Sequence, residues 1–195
     1  LTSNELNCLL PDPQDPDIMW ISTRRHGLCH YDYKTGEISP FDGKICSKAI
    51  PHLSAATDGG IWVTHYHNIP DYLNTVTGEV EPLFSDTPQD FPRPVWCTVE
   101  DPSGTYLYVG HEGAGMTRVS LKDRKFKTYR PAAISADGPG GASVYTIIVD
   151  RSGKVWLGTD KGVSIFNPTT EKFENISSST ADADFLPGAV KSIME

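Results

Sequence analysis

The sequence predicts an all-β fold: a β-propeller fragment of about four four-stranded antiparallel blades plus the first strand of a fifth. Three observations carry this. Sliding the chain along itself superposes Trp20, Trp62, Tyr108 and Trp156, separated by 42, 46 and 48 residues (62−20, 108−62, 156−108). Internal periods of roughly 40–50 residues are those of propeller blades. Each repeat also presents the same succession of short apolar runs and turn signals, while no segment has the 3.6-residue periodicity of a helix.

The units span approximately 6–41, 50–84, 95–130 and 144–177, and 186–195 opens a further one. Each begins with a short apolar strand that ends near an acidic residue: Leu6 to Asp12, Val95 to Asp101, Val144 to Asp150. The second unit is looser there, from His52 to Asp58. A tight turn follows, as in Asp101-Pro-Ser-Gly104 and Asp150-Arg-Ser-Gly153. Asp bonds its own backbone two residues on and Gly supplies positive φ, so these are hairpin signals with a mechanism. The first unit widens this turn to Asp12–Asp17, stiffened by two prolines.

The second strand carries the aromatic anchor: Ile18-Met-Trp20-Ile, Gly60-Ile-Trp62-Val, Leu107-Tyr108-Val-Gly110, Val155-Trp156-Leu-Gly158. Such runs suit strands packed on both faces. The shared register of these four aromatics makes them packing residues between blades. After a polar tip comes a third strand, clear at Gly27–Asp32, Gly115–Ser120 and Gly162–Asn167 and degenerate in the second unit. A last turn leads to an outer strand; Asp32–Ile38 and Asn74–Val80 are identical or similar in five of seven positions. A four-stranded meander cannot bury both faces alone, and stacking against copies of itself solves that. The opening of a fifth unit at Leu186 to Ile193 leads us to expect a piece of a longer protein. Open blade edges would then favour self-association.

Composition narrows the function. The chain has 195 residues, 38% of them hydrophobic, with a net charge of −8. An acidic domain with no basic stripe disfavours nucleic acid as a partner. No apolar run approaches the length of a membrane span, so any membrane contact would come through parts of the protein outside this segment. Cys8, Cys29, Cys46 and Cys97 have no CxxC spacing and read neither as a disulfide framework nor as a zinc site.

The pattern Asp-x-x-Gly-x-Val-Trp-Leu-Gly-Thr-x-x-Gly-Val-x-x-Phe-Asn, met in full from Asp150 to Asn167, closely resembles the two-component regulator propeller repeat. The third unit departs from it by Tyr108 and one inserted residue, and the second lacks the equivalents of Gly158, Thr159 and Gly162. Such repeats build the periplasmic sensor of hybrid two-component systems, best known in gut Bacteroidetes. There, propellers precede an immunoglobulin-like domain, a membrane helix, a histidine kinase, a receiver and a DNA-binding domain. The resemblance implies an extracytoplasmic, glycan-responsive sensor segment that is not itself an enzyme and needs no cofactor. The rest of the propeller would be its partner.

Antiparallel meanders put the first and third turns of every blade at one end. The second-turn tips and the inter-blade returns lie at the other. The first end is economical, whereas the returns 42–49, 85–94, 130–143 and 177–189 are long. Function favours loops longer than the connection requires. The tips on that face read Arg24-Arg25-His26, His65-Tyr66-His67-Asn68, His111-Glu112 and Asp160-Lys161. Planar hydrogen-bonding groups and aromatic faces are what an oligosaccharide requires, so these ten Arg, His, Tyr, Glu, Asp and Lys residues form the candidate ligand site. An extended His65-Tyr-His67 would set both imidazoles on one side, but no further ligands stand at a recognisable spacing and no metal is assigned. Nucleophile-elbow, metalloprotease and phosphate-loop motifs are absent, so no catalytic residue is named. The alternatives are a propeller enzyme resembling a polysaccharide lyase or hydrolase, and a protein-interaction scaffold.

Overall fold

The structure is a computed structural model that describes residues 3–132, 135–176 and 188–194. Among these residues sixteen strands and no helix are found. They form four four-stranded antiparallel sheets, each with its strands in sequence order. The first holds β1 (Leu6–Pro11), β2 (Ile18–Thr23), β3 (Leu28–Asp32) and β4 (Ile38–Pro40). The second holds β5 (Leu53–Ala55), β6 (Ile61–Val63), β7 (Asp71–Leu73) and β8 (Val80–Pro82). The third holds β9 (Val95–Glu100), β10 (Tyr106–His111), β11 (Met116–Ser120) and β12 (Phe126–Tyr129). The fourth holds β13 (Val144–Val149), β14 (Val155–Thr159), β15 (Gly162–Asn167) and β16 (Lys172–Ile176). These are propeller blades. The chain divides into two compact units, Leu1–Glu100 and Asp101–Glu195.

In the first unit the core gathers Trp20, Leu28, Ile50, Leu53, Ile61, Val63 and Leu73, all buried. The innermost strands pack in succession, β1 against β5 and β5 against β9. Between β5, β6 and β9 the Ser54 and Thr98 hydroxyls hydrogen-bond at 2.9 Å, and Thr64 joins Thr98 at 3.0 Å. Buried hydroxyls are thereby satisfied by one another. The second unit is held by an aromatic cluster in which Phe166 meets Tyr129 and Phe173, each with ring centroids 4.8 Å apart.

The hairpin turns take the form that their residues dictate. Asp150 Oδ1 accepts the backbone N–H groups of Ser152 and Lys154, at 2.8 and 3.0 Å. Gly153 closes the turn at φ 80°. Asp12 uses Oδ1 in the same way on Gln14 and Asp15. The other carboxylate oxygen is also engaged: Asp150 Oδ2 accepts the Trp156 indole N–H and Asp12 Oδ2 that of Trp20, both at 2.7 Å. The acidic residue at the end of the innermost strand is therefore a turn-former and an indole clamp together.

The returns repeat as well. Ile50 donates its backbone N–H to the Thr23 carbonyl, and Val190 donates to that of Thr159 at the equivalent place in the fourth sheet. A Cβ on Gly158 would approach the Val190 carbonyl to 2.5 Å, so glycine is what admits this strand-to-chain contact. Residues 188–194 are described without a strand; Leu186, Pro187 and Glu195 of the expected further blade lie outside the described residues.

Candidate functional site

A cleft of about 730 Å³ opens in the first unit, within the roughly 300–1,000 Å³ typical of small-ligand sites. Three successive sheets supply its walls. Glu5, Leu6 and Asn7 come from β1 and the residue before it, and Arg24 and Arg25 from the β2–β3 tip. Ala49 and Pro51 come from the return into β5, Tyr66 and His67 from the β6–β7 tip, and Trp96 from β9.

The aromatic wall is continuous. Tyr66 stands edge-on to His67 at 4.6 Å and to Trp96 at 5.0 Å between ring centroids. Edge-to-face packing of this kind fixes the relative orientation of the rings. Backbone bonds fix the frame: Arg24 N–H donates to the Glu5 carbonyl at 2.9 Å, Tyr66 N–H to that of Ala49 at 3.1 Å, and Val95 N–H to that of Tyr66 at 3.0 Å. The Asn7 side-chain amide donates to the Ile50 carbonyl at 2.9 Å. Two guanidinium groups, an imidazole, a carboxylate and three aromatic or planar faces thus surround one volume.

His52 follows the lining residue Pro51 in sequence. Part of its surface is open, but protein surrounds most of the ring, and that desolvation pushes its pKa down to about 4. It is neutral at pH 7, and Nδ1 accepts the Thr98 N–H at 3.5 Å.

Of the residues singled out from sequence, Arg24, Arg25, Tyr66 and His67 come together in the cleft. His26 is exposed beside it, its N–H given to Thr23 Oγ1. His65 and His111 are fully buried, not displayed at the tips. Their Nε2 atoms bond Asp71 Oδ2 and Thr117 Oγ1, each at 2.8 Å. The chain bends at 66–68 instead of running extended, so His65 and His67 do not share a side. Glu112 and Lys161 are exposed in the second unit, where Asp160 Oδ1 accepts the Ser143 N–H at 3.0 Å.

Sequence reasoning missed Trp96, Asn7 and Glu5. They sit on or before innermost strands, which were read only as blade openings. The signal lay in Trp96 itself, the one tryptophan outside the 42–48-residue register. Beside the cleft, Cys46, His65 and Asp71 form the one cluster of metal-ligating side chains among the described residues. Burial, and next the Asp71 charge, push the Cys46 thiol up to about 12, so it is no thiolate nucleophile at neutral pH.

The four sheets define the class, a β-propeller segment, and residues 138–161 match the family model described as the two component regulator propeller. Its relatives point further. The chain is similar, at 30% identity and a TM-score of 0.78, to the extracellular domain of a protein of B. thetaiotaomicron described as a hybrid two component system. That match covers 89% of this chain and 24% of the other. A second B. thetaiotaomicron extracellular domain, described as a one component system, aligns at 17% identity and a TM-score of 0.74, over 97% of this chain and 24% of that one. A gluconolactonase of Xanthomonas campestris shares the fold at 18% identity and a TM-score of 0.62, over 86% of this chain and 60% of its own. No curated protein matches the chain. The chain thus spans about a quarter of the length of these extracellular domains, 24% in both.

Proposed function

We propose that this chain is a ligand-sensing segment of the extracytoplasmic propeller of a hybrid two-component sensor histidine kinase, and that it binds an oligosaccharide without turning it over. The observation that carries this reading is the cleft in which Arg24, Arg25, Tyr66, His67 and Trp96 converge. Aromatic faces stack on the apolar faces of sugar rings, and guanidinium, imidazole and carboxylate groups bond their hydroxyls in pairs. The likeness to an extracellular domain of a hybrid two component system supports the location and the class of parent protein. Kinase chemistry would belong to other parts of that protein. A ligand transmits a signal only through unequal affinity for two arrangements of the protein. A cleft walled by three successive sheets supports that reading, since a shift among them would change its shape.

Calorimetric titration of the purified chain with a panel of plant and host oligosaccharides tests the proposal. At least one member should bind at one site per chain, Arg25→Ala should weaken it by about tenfold or more, and prolonged incubation should leave the glycan intact. Cleavage of the bound glycan would instead make the chain an enzyme. Absence of binding across the panel would leave relay between blades as its role.

A further inference from the structure

We infer that Cys46, His65 and Asp71 form a zinc-binding site that staples the connection between β4 and β5 to the tip between β6 and β7. One ligand atom from each of the three lies within 4.8 Å of the others. Tetrahedral zinc takes thiolate, imidazole and carboxylate ligands at about 2.0–2.3 Å, which places those atoms about 3–4 Å apart. A small inward movement of Cys46 closes the gap. Cys46 lies on an irregular, exposed connection that can make that movement.

The carboxylate is already the hub of the cluster. Asp71 Oδ2 accepts the Cys46 backbone N–H and faces His65 Nε2, both at 2.8 Å. The Asn68 amide reaches the Cys46 carbonyl at 3.4 Å, and the Cys46 thiol points at the Ile69 carbonyl at 3.4 Å. His65 is 0% and Asp71 2% exposed. Cys46 reaches solvent, and a zinc ion with three protein ligands keeps a fourth, exchangeable one.

The other three sheets provide an internal comparison. Thr23, His111 and Thr159 occupy the position of His65, three residues past the aromatic anchor. Their side chains close on the Gly27 carbonyl at 2.8 Å, the Thr117 hydroxyl at 2.8 Å and the Gly162 carbonyl at 2.9 Å. The strand register equates Asp71, opposite Val63, with Cys29, Thr117 and Ser164. Every other sheet therefore holds an uncharged side chain where the second buries a carboxylate. Burying a charge is costly unless it is paired or coordinates a metal. The second sheet alone among the four therefore sets a buried imidazole against a buried carboxylate, and the connection that carries Cys46 meets them there. Cys46 would give up its thiol proton as the metal binds, and a soft thiolate beside an imidazole selects zinc over calcium or magnesium. The inference is independent of whether the neighbouring cleft binds a sugar.

The test is cobalt(II) titration of the whole chain after removal of metals by a chelator, in a thiol-free reductant. Cobalt should bind at one per chain with a thiolate-to-metal charge-transfer band, and zinc should displace it. Cys46→Ser should abolish the band and weaken zinc binding by more than about tenfold, the scale already reached by loss of an outer-shell partner. Cys8→Ser should keep it. Because Cys46 is exposed, Cys46→Ser should fold, which circular dichroism checks; Asp71→Asn gives a second reading of affinity. Zinc should raise Tm of the parent protein and not of Cys46→Ser. No saturable binding at one per chain, or a band that survives Cys46→Ser, overturns the site and leaves a buried His65–Asp71 pair in its place.

Discussion

Carboxylates bound to indole N–H groups recur through the molecule. Asp12 holds Trp20 and Asp150 holds Trp156, while Trp62 is held by Glu100 at 2.6 Å. In the second sheet Asp58 is turned to the Tyr72 hydroxyl instead, at 2.9 Å. Trp20 is 5% exposed, so removing its acceptor leaves a buried donor unpaired. Asp12→Ala should therefore cost about 1–3 kcal/mol in urea unfolding, and Asp12→Asn should recover only part of that, because its single amide oxygen can serve the turn or the indole but not both. Asp150 and His52 both contribute to the acid response. The Ser152 and Trp156 bonds lower the Asp150 pKa to about 2, so its contribution is present above the unfolded value near 3.8 and is lost as pH falls toward 2. For His52 the folded pKa of about 4 lies below the ordinary 6.5. The unfolded chain takes up the proton first on acidification, so stability falls with pH between 6.5 and 4. Tm measured across this range should drop, and His52→Gln should flatten the slope between 6.5 and 4 while leaving the steeper loss below 4.

At the scale of the element, the turns were the most legible feature. Asp32, Asn74 and Asn167 each accept two backbone N–H groups just downstream through Oδ1, which is the bond expected of Asx residues before a hairpin. The third and fourth sheets make the corresponding turn without glycine. Arg124 and Glu171 adopt φ of 58° and 54° there. Sequence could not announce this, because left-handed backbone is advertised by Gly and not by Arg or Glu. Glu171 is held by Arg118 and Lys127 in ion pairs that no local pattern reveals. The tips were half legible. Arg24, Arg25, Tyr66 and His67 could be placed on one face from strand counting. That His65 and His111 turn inward could not, since each is held by a side chain on the following strand, Asp71 and Thr117, that no local spacing announces. Cys46 and Asp71 flank His65 at separations that match no motif. Only the fold brings them together.

For the whole molecule, the repeat in the sequence determined the blade architecture because register, turns and aromatic anchors all agree. The candidate cleft was harder to see, since residues of three sheets line it. Exposure also marks where another blade or another copy would sit. Leu6 and Leu9 on β1 are 44% and 57% exposed, whereas Val144 and Ile147, their equivalents on β13, are 0% and 5%. We expect the isolated chain to self-associate through this strand, seen by light scattering at micromolar concentration and reduced by Leu6→Lys with Leu9→Lys. A parent chain that stays monomeric would remove that expectation.

The central claim is that the cleft reads a sugar. Trp96 alone of the four tryptophans lines it, so intrinsic fluorescence reports the site directly. Titration with the oligosaccharide that binds best by calorimetry should give a saturable emission change, and Trp96→Leu should lose that change together with most of the affinity. Calorimetric binding that persists in Trp96→Leu at unchanged affinity would contradict the account and place the ligand elsewhere.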